Sequence, residues 1–179
     1  NKEVDNNLPF FGQKATFYEG GIRTPLIIRW PGKVQPGAVA DEVVTYLDYF
    51  PTFADIAQIE PPADLRGISI FDILNKKVER SNNVYWEASN SIRHSWSILS
   101  SDGRWRLGQY FFGEPQLNDL FEYPNGDTDV VERYPVMTSG LREDFMQWRL
   151  KARQVDFTYH QLTSTGAAKI GGHSLQRAP

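Results

Sequence analysis

Gly12-Gln-Lys14-Ala-Thr-Phe-Tyr18-Glu19-Gly20-Gly21-Ile-Arg23-Thr-Pro25 runs directly into Leu26-Ile-Ile-Arg-Trp30-Pro31-Gly32. The first half mixes glycine, aromatic residues and proline without an apolar period of 2 or 3.6, and reads as a loop. The second half is a short apolar, β-branched run closed by Pro-Gly, and reads as a strand buried on both faces. Beyond it, Val34-Gln-Pro-Gly37 is a turn fixed by its proline and glycine. Asp48 then precedes a segment in which Phe50, Phe53, Ala54, Ile56 and Ala57 recur at helical spacing. This predicts a helix capped by Asp48, with Pro51 tolerated in the first turn. Residues 59–66 form a proline-rich loop, and 68–74 a short apolar piece.

From Asn83 onward the texture changes. Val84-Tyr-Trp-Glu87, residues 92–99, 105–112 and 116–121 are four short runs rich in aromatic and β-branched residues, separated by Ser, Asn, Asp and Gly. Ser101-Asp-Gly103 between the second and third is a hairpin signal. Together they predict a small four-stranded antiparallel sheet. Leu141, Phe145, Trp148 and Ala152 then fall on one face of a helix in an Arg/Glu-rich stretch. The charges of residues 142–153 read as its solvated face, and Trp105, Tyr110, Phe111 and Phe112 as core or interface aromatics. After Val155 the chain turns Ser-, Thr- and Gly-rich and the helical period is lost.

Composition narrows the functional classes. The chain has 179 residues, 40% hydrophobic and 13% aromatic, enough for a packed core. A net charge of −3, from 19 basic against 22 acidic residues, argues against nucleic acid held mainly through its phosphates. No cysteine is present, so a disulfide, a thiolate zinc site and a thiol nucleophile are excluded within this chain. No apolar run approaches the roughly 20 residues of a membrane span. His94, His160 and His173 lack metal-ligand spacing, and neither a G-x-S-x-G elbow nor a glycine-rich phosphate loop occurs. Residue chemistry alone therefore stops at an α/β piece joined to a small sheet.

The opening stretch carries the reading further. Its pattern, G-x-K-x-x-x-Y-E-G-G-x-R-x-P followed by an apolar strand and W-P-G, closely resembles a signature of the sulfatase family, the arylsulfatase group of the alkaline-phosphatase-like superfamily. Leu47-Asp48-Tyr-Phe-Pro51-Thr52 through Ala57 is similar to that family's D-x-x-P-T helix, one residue shorter at the alanine. Arg66-Gly67-Ile-Ser69-Ile resembles its D-G-x-S-L loop, with arginine replacing aspartate. Leu117-Asn-Asp119-Leu120-Phe121 resembles its E-L-Y-D-L segment. The resemblance covers residues 8 to about 153.

The resemblance implies an α/β fold: the C-terminal part of an alkaline-phosphatase-like sulfatase, with a small four-stranded antiparallel sheet plus a C-terminal helix. It divides the chain into residues 1–79, a segment of the catalytic α/β domain; 80–155, the small β subdomain with its helix; and 156–179, a tail or the start of a further β module. It implies sulfate-ester hydrolysis, of a sulfated carbohydrate for preference, by a formylglycine- and calcium-dependent mechanism. The formylglycine motif C/S-x-P/A-x-R and the metal-binding S-D-N-G stretch are not in this sequence. In the family, S-D-N-G lies shortly before the signature, so Asn1 is expected to fall just after it. The N-terminal part of the same sulfatase is then the partner that holds the nucleophile and the calcium, no metal ligand is expected here, and the chain alone is expected to be inactive. A secreted, periplasmic or lysosomal location is implied as well.

Residue by residue, Lys14 matches the family lysine that contacts the sulfate. A positioned ammonium would stabilise the charge that builds on the sulfate oxygens. Glu19 and Arg23, four apart, read as an ion pair pinning the loop around Gly20-Gly21, a structural support of the site. Arg93, His94 and Trp96 on the small sheet read as substrate-binding: a cation for a second sulfate or a carboxylate, and an indole for a sugar face. Two other readings stay open: a non-catalytic carbohydrate-binding or structural module that reuses the fold, and a phosphonate or phosphate monoesterase of the same superfamily.

Overall fold

The four aromatic runs pair as the turn chemistry between them dictates. In the computed structural model they form β1 (Val84–Ser89), β2 (His94–Leu99), β3 (Trp105–Gln109) and β4 (Gln116–Asp119), an antiparallel sheet of order β1-β2-β3-β4. Residues 7–75, 77–89, 94–111, 113–164, 169–170 and 173–174 are described. Register places Leu107 of β3 opposite Ile98 on one side and Leu117 on the other. All three are fully buried, so one apolar row crosses three strands and fixes the register, because a slip by one residue would turn it to the opposite face. The β2–β3 connection is the expected hairpin: Gly103 takes φ +78°, Asp102 Oδ1 accepts from the Arg104 amide at 3.0 Å, and Ser100 Oγ accepts from the Trp105 amide at 2.8 Å.

The chain divides into two compact units, residues 1–138 and 139–179. Besides the sheet, the first unit holds the short helix α1 (Glu19–Ile22), a 3-10 turn (Tyr46–Asp48), α2 (Tyr49–Ala57) and α3 (Ile70–Leu74). Thr52 ties α2 to α3, donating from Oγ1 to Asp48 O and accepting from the Ile70 amide at 2.9 Å. Ser69 Oγ adds a bond to Asp55 at 3.1 Å.

One expectation for the backbone of this unit fails. Residues 26–30 are not a strand: they run extended without a ladder partner among the described residues, and Ile27 is 90% exposed. An apolar β-branched run becomes a strand only where a neighbour takes its backbone hydrogen bonds, and the sheet of this unit is completed by strands 84–119 alone. The apolar stripe of α2 faces mostly outward. Pro51, Thr52 and Ala54 are buried, whereas Phe50, Ile56 and Phe53, the last 65% exposed, face outward. The polar anchors Thr52 and Asp55 set the rotation of the helix, and its apolar face is left to solvent along with Leu26, Ile27 and Ile59.

The second unit is mostly α4 (Pro135–Ser164). Leu141 and Phe145 are buried and the Phe145 and Trp148 rings stand 5.5 Å apart. The helix continues to Ser164, past the end at Val155 that the fading period predicts. Once nucleated, each added residue gains a backbone hydrogen bond, and neither proline nor glycine occurs between Leu141 and Gly166 to stop it. Lys169–Ile170 and His173–Ser174 pair as a two-residue ladder. The architecture is α/β, a four-stranded antiparallel sheet plus a C-terminal helix. No described helix is long and apolar enough to cross a membrane.

Candidate functional site

Lys14 sits in a turn closed by the Thr16 amide on Gln13 O at 3.1 Å. The turn is doubly fastened, since Thr16 Oγ1 also donates to Gln13 O at 2.7 Å. Ala15, at the third position, has φ +70°, a left-handed conformation that costs a residue with a Cβ about 1 kcal/mol. The lysine side chain is exposed.

The glycine pair that follows is required by close backbone approach. A Cβ on Gly20 would stand 2.2 Å from Gly12 O, and one on Gly21 2.2 Å from Thr16 O. The Gly20 amide donates to Phe11 O at 2.8 Å. Residues 11–21 therefore fold back on themselves into one closed loop with Lys14 at its outer turn.

Glu19 anchors that loop. Its Oε2 accepts from Arg23 Nε at 2.6 Å, and Arg23 also covers the Phe10 ring at 4.8 Å. The carboxylate is buried while Arg23 is half exposed. A second guanidinium, Arg106 of β3, comes from the sheet: Nη1 donates to Phe17 O at 2.7 Å and Nη2 to Asn118 Oδ1 at 2.6 Å. Its Nε lies 3.4 Å from Glu19 Oε1, at an angle that makes no hydrogen bond. Arg106 also packs over Tyr18, 5.1 Å from the ring centre, and the Tyr18 hydroxyl donates to Gln116 at 3.2 Å. Burial pushes the Arg106 pKa below its ordinary value, opposed by the Glu19 charge. Burial is likewise the main cause that raises Tyr18, with Arg106 pulling the other way.

His94, at the start of β2, contacts Glu87 of β1 at 3.0 Å and is half-buried. Trp96, two residues on, is 2% exposed, with Nε1 donating to Gln109 Oε1 at 2.8 Å. Its indole thus contributes to the sheet core. A depression with room for about one water, near 10 Å³, lies over it and is lined also by Tyr18, Arg106 and Tyr110. Arg93 and Phe112 lie outside the described residues.

Asp48 corrects a sequence expectation. It makes no side-chain cap to α2. Instead its Oδ2 accepts from the Thr45 amide at 2.6 Å, closing a capping box on the 3-10 turn, and from Arg80 Nη2 at 2.5 Å. Its Oδ1 accepts from the Ile68 amide at 2.9 Å. The carboxylate is fully buried at the junction of three segments, so its partners come from tertiary neighbours rather than from the helix it precedes.

Asp119 ends β4 as a third buried carboxylate. It accepts from Arg104 Nη2 at 2.8 Å and from the Phe121 and Glu122 amides at 3.1 and 3.3 Å. The Arg104 hydrogen bonds are the first cause that holds its pKa below the usual carboxylate range, with burial opposing. A depressed folded-state pKa means stability that is present above the unfolded value of about 4 and is lost as pH falls through the folded one. Asp119→Asn should therefore lower the melting temperature at pH 7, and the gap to wild type should close as pH drops below about 4. Melting curves at pH 3 and pH 7 check this; a gap independent of pH contradicts it. Arg106 carried no signal in the sequence beyond a polar residue inside a short strand, Arg104 precedes β3, and Asn118 and Asp119 stood out only within the segment that resembles E-L-Y-D-L. Arg106 on the inner strand β3 and Asn118 and Asp119 on the edge strand β4 are all buried, which was not legible without the register.

Among the described residues no group of three or more His, Asp or Glu is placed to hold a metal ion.

A glycine-locked lysine loop braced against a four-stranded antiparallel sheet defines the C-terminal region of a sulfatase-type α/β protein. The family model for N-sulphoglucosamine sulphohydrolase, C-terminal, matches residues 9–151, and the chain belongs to that sulfatase family. It is 40% identical over 122 residues to N-acetylgalactosamine-6-sulfatase of Sus scrofa, covering 62% of this chain and 23% of the relative. It is 31% identical over 134 residues to arylsulfatase K of Xenopus laevis, covering 68% and 25%. The fold matches the crystal structure of Ps i-CgsB with a TM-score of 0.73 at 22% identity, over 80% of this chain and 32% of that one. The chain thus spans about a quarter or less of the length of these curated relatives.

Proposed function

We propose that this chain is the C-terminal part of a sulfatase that hydrolyses sulfate esters of a sulfated carbohydrate. The observation that carries this is the loop of residues 11–21, whose glycines, turn and buried Glu19 hold an exposed lysine within the region matched to the family. Relatives named for N-acetylgalactosamine 6-sulfate and for ulvan support a sugar substrate. Formylglycine and calcium, if held by the N-terminal part of the same protein, would supply the nucleophile and charge neutralisation. Lys14 binds the sulfate group and stabilises the negative charge that develops on its oxygens. Glu19 and Arg23 keep the loop in shape. Arg93 and His94 recognise a second anionic group on the sugar, and Trp96 supports that edge from within the sheet. Residues 1–79 complete the catalytic domain through the apolar side chains now exposed on residues 26–59, residues 80–155 form the substrate-side subdomain, and 156–179 is a tail or a further small β module. The location is secreted, periplasmic or lysosomal.

The test is the full-length enzyme on matched sulfate and phosphate esters of one alcohol, and on sulfated and desulfated oligosaccharides. Release of inorganic sulfate, with phosphate turnover at least 100-fold slower, is the expected result. Comparable phosphate turnover would favour the monoesterase reading, and carbohydrate binding without turnover the non-catalytic one.

A further inference from the structure

We infer that Arg106 is a positioning residue for Lys14, a role that rests on the sulfate-binding reading of that lysine. Arg106 lies on β3, more than eighty residues from the loop, yet its guanidinium joins loop to sheet. Nη1 holds Phe17 O, three residues after Lys14, at 2.7 Å. Nη2 holds Asn118 Oδ1 of β4 at 2.6 Å and Gly126 O at 3.3 Å. Asn118 is itself fixed by donating to Thr128 O at 2.7 Å. The loop is a closed body, so restraints at Phe17 and at the neighbouring Glu19 carry through to Lys14.

Arg106 and Glu19 side chains are each 3% exposed. Burying a guanidinium is costly, and a well-packed apolar residue would often fill such a place with equal or better stability. What an apolar residue cannot do is hold a loop carbonyl and a sheet amide at once. The rigid planar fork of arginine sets the spacing between them, and a lysine would offer a point charge on a flexible stem. The surroundings are shaped to this group: a Cβ on Gly126 would meet Glu19 Cγ at 2.6 Å and Arg106 Nη2 at 3.3 Å.

The experiment is a double-mutant cycle in the full-length enzyme, with steady-state kinetics on an aryl sulfate. Arg106→Gln is expected to lower kcat about 10- to 100-fold with KM within about 3-fold, the range that a misplacement near 1 Å produces. In a Lys14→Ala background the same change should cost less than about 3-fold, because its effect passes through the lysine. Multiplying losses overturn the inference. If Arg106→Gln does not yield folded protein, Arg106→Lys carries the same cycle, and charge alone should not restore kcat. Deuterium exchange supplies a readout independent of turnover: amides of residues 12–22 should exchange faster in either Arg106 variant. Unchanged protection there overturns the inference. If Lys14→Ala alone leaves kcat intact, the sulfate-binding reading fails, and the exchange result still decides whether Arg106 positions the loop.

Discussion

Replacing Lys14 with alanine in the full-length enzyme should lower turnover of sulfate esters by roughly 100- to 1000-fold, the equivalent of about 3–4 kcal/mol for a charge-stabilising donor. The same change should shift stability by no more than about 0.5 kcal/mol. Both halves follow from where the residue sits. The lysine is exposed at a turn whose hydrogen bonds are made by Gln13 and Thr16 rather than by itself, so the turn survives its loss. Lys14→Arg separates charge from geometry. Guanidinium keeps the charge but is planar and broader than an ammonium, and should recover less than a tenth of the activity. Steady-state kinetics with melting curves as the control decide the matter. An alanine variant within a few-fold of wild type would mean that Lys14 does not touch the sulfate.

The loop was legible in the sequence because its constraints are local. Gly20 and Gly21 cannot carry a Cβ, since backbone oxygens of the same loop stand 2.2 Å from where it would be. Glu19 and Arg23 are four apart and meet at 2.6 Å. The sheet was legible for a similar reason. Its strands are joined in order by short connections, and Ser100, Asp102 and Gly103 supply the turn chemistry that one hairpin needs.

What was not legible depends on tertiary neighbours. Residues 26–30 have the composition of a buried strand, but strand formation is a property of a pair, and no partner stands beside them among the described residues. Asp48 has the sequence position of a helix cap, but a fully buried carboxylate goes to whichever donors surround it. Here these are Thr45, Ile68 and Arg80. Arg106 could not be assigned from sequence at all, because its partners Phe17 and Asn118 lie in two segments on opposite sides of it along the chain. The long family signature thus singled out the lysine as a candidate, and the residues that hold its loop against the sheet emerged only from the fold.

Asp48→Ala tests the second of these in energetic terms, and should be the most destabilising single substitution in the first unit after backbone clashes at glycine. It removes the acceptor of Arg80, whose side chain is 7% exposed, and strips the Thr45 and Ile68 amides of their partner. Leaving a buried guanidinium without its counter-ion costs about 3–5 kcal/mol, far above the roughly 1 kcal/mol expected from the loss of a helix cap. Arg80 retains one bond, to Val43 O at 3.1 Å, which limits but does not remove the penalty. Asp48→Asn keeps the shape and an acceptor oxygen but not the charge, and should fall between wild type and alanine. The decisive variant is the double one. If the orphaned charge dominates, Arg80→Met in the Asp48→Ala background should recover part of the loss, because an apolar side chain of similar length needs no partner. Denaturant midpoints of the four proteins measure this. Strictly additive losses would mean that Asp48 acts mainly through the Thr45 and Ile68 amides, as a cap and loop staple. A loss of activity without a loss of stability would place Asp48 at the substrate instead of in the scaffold.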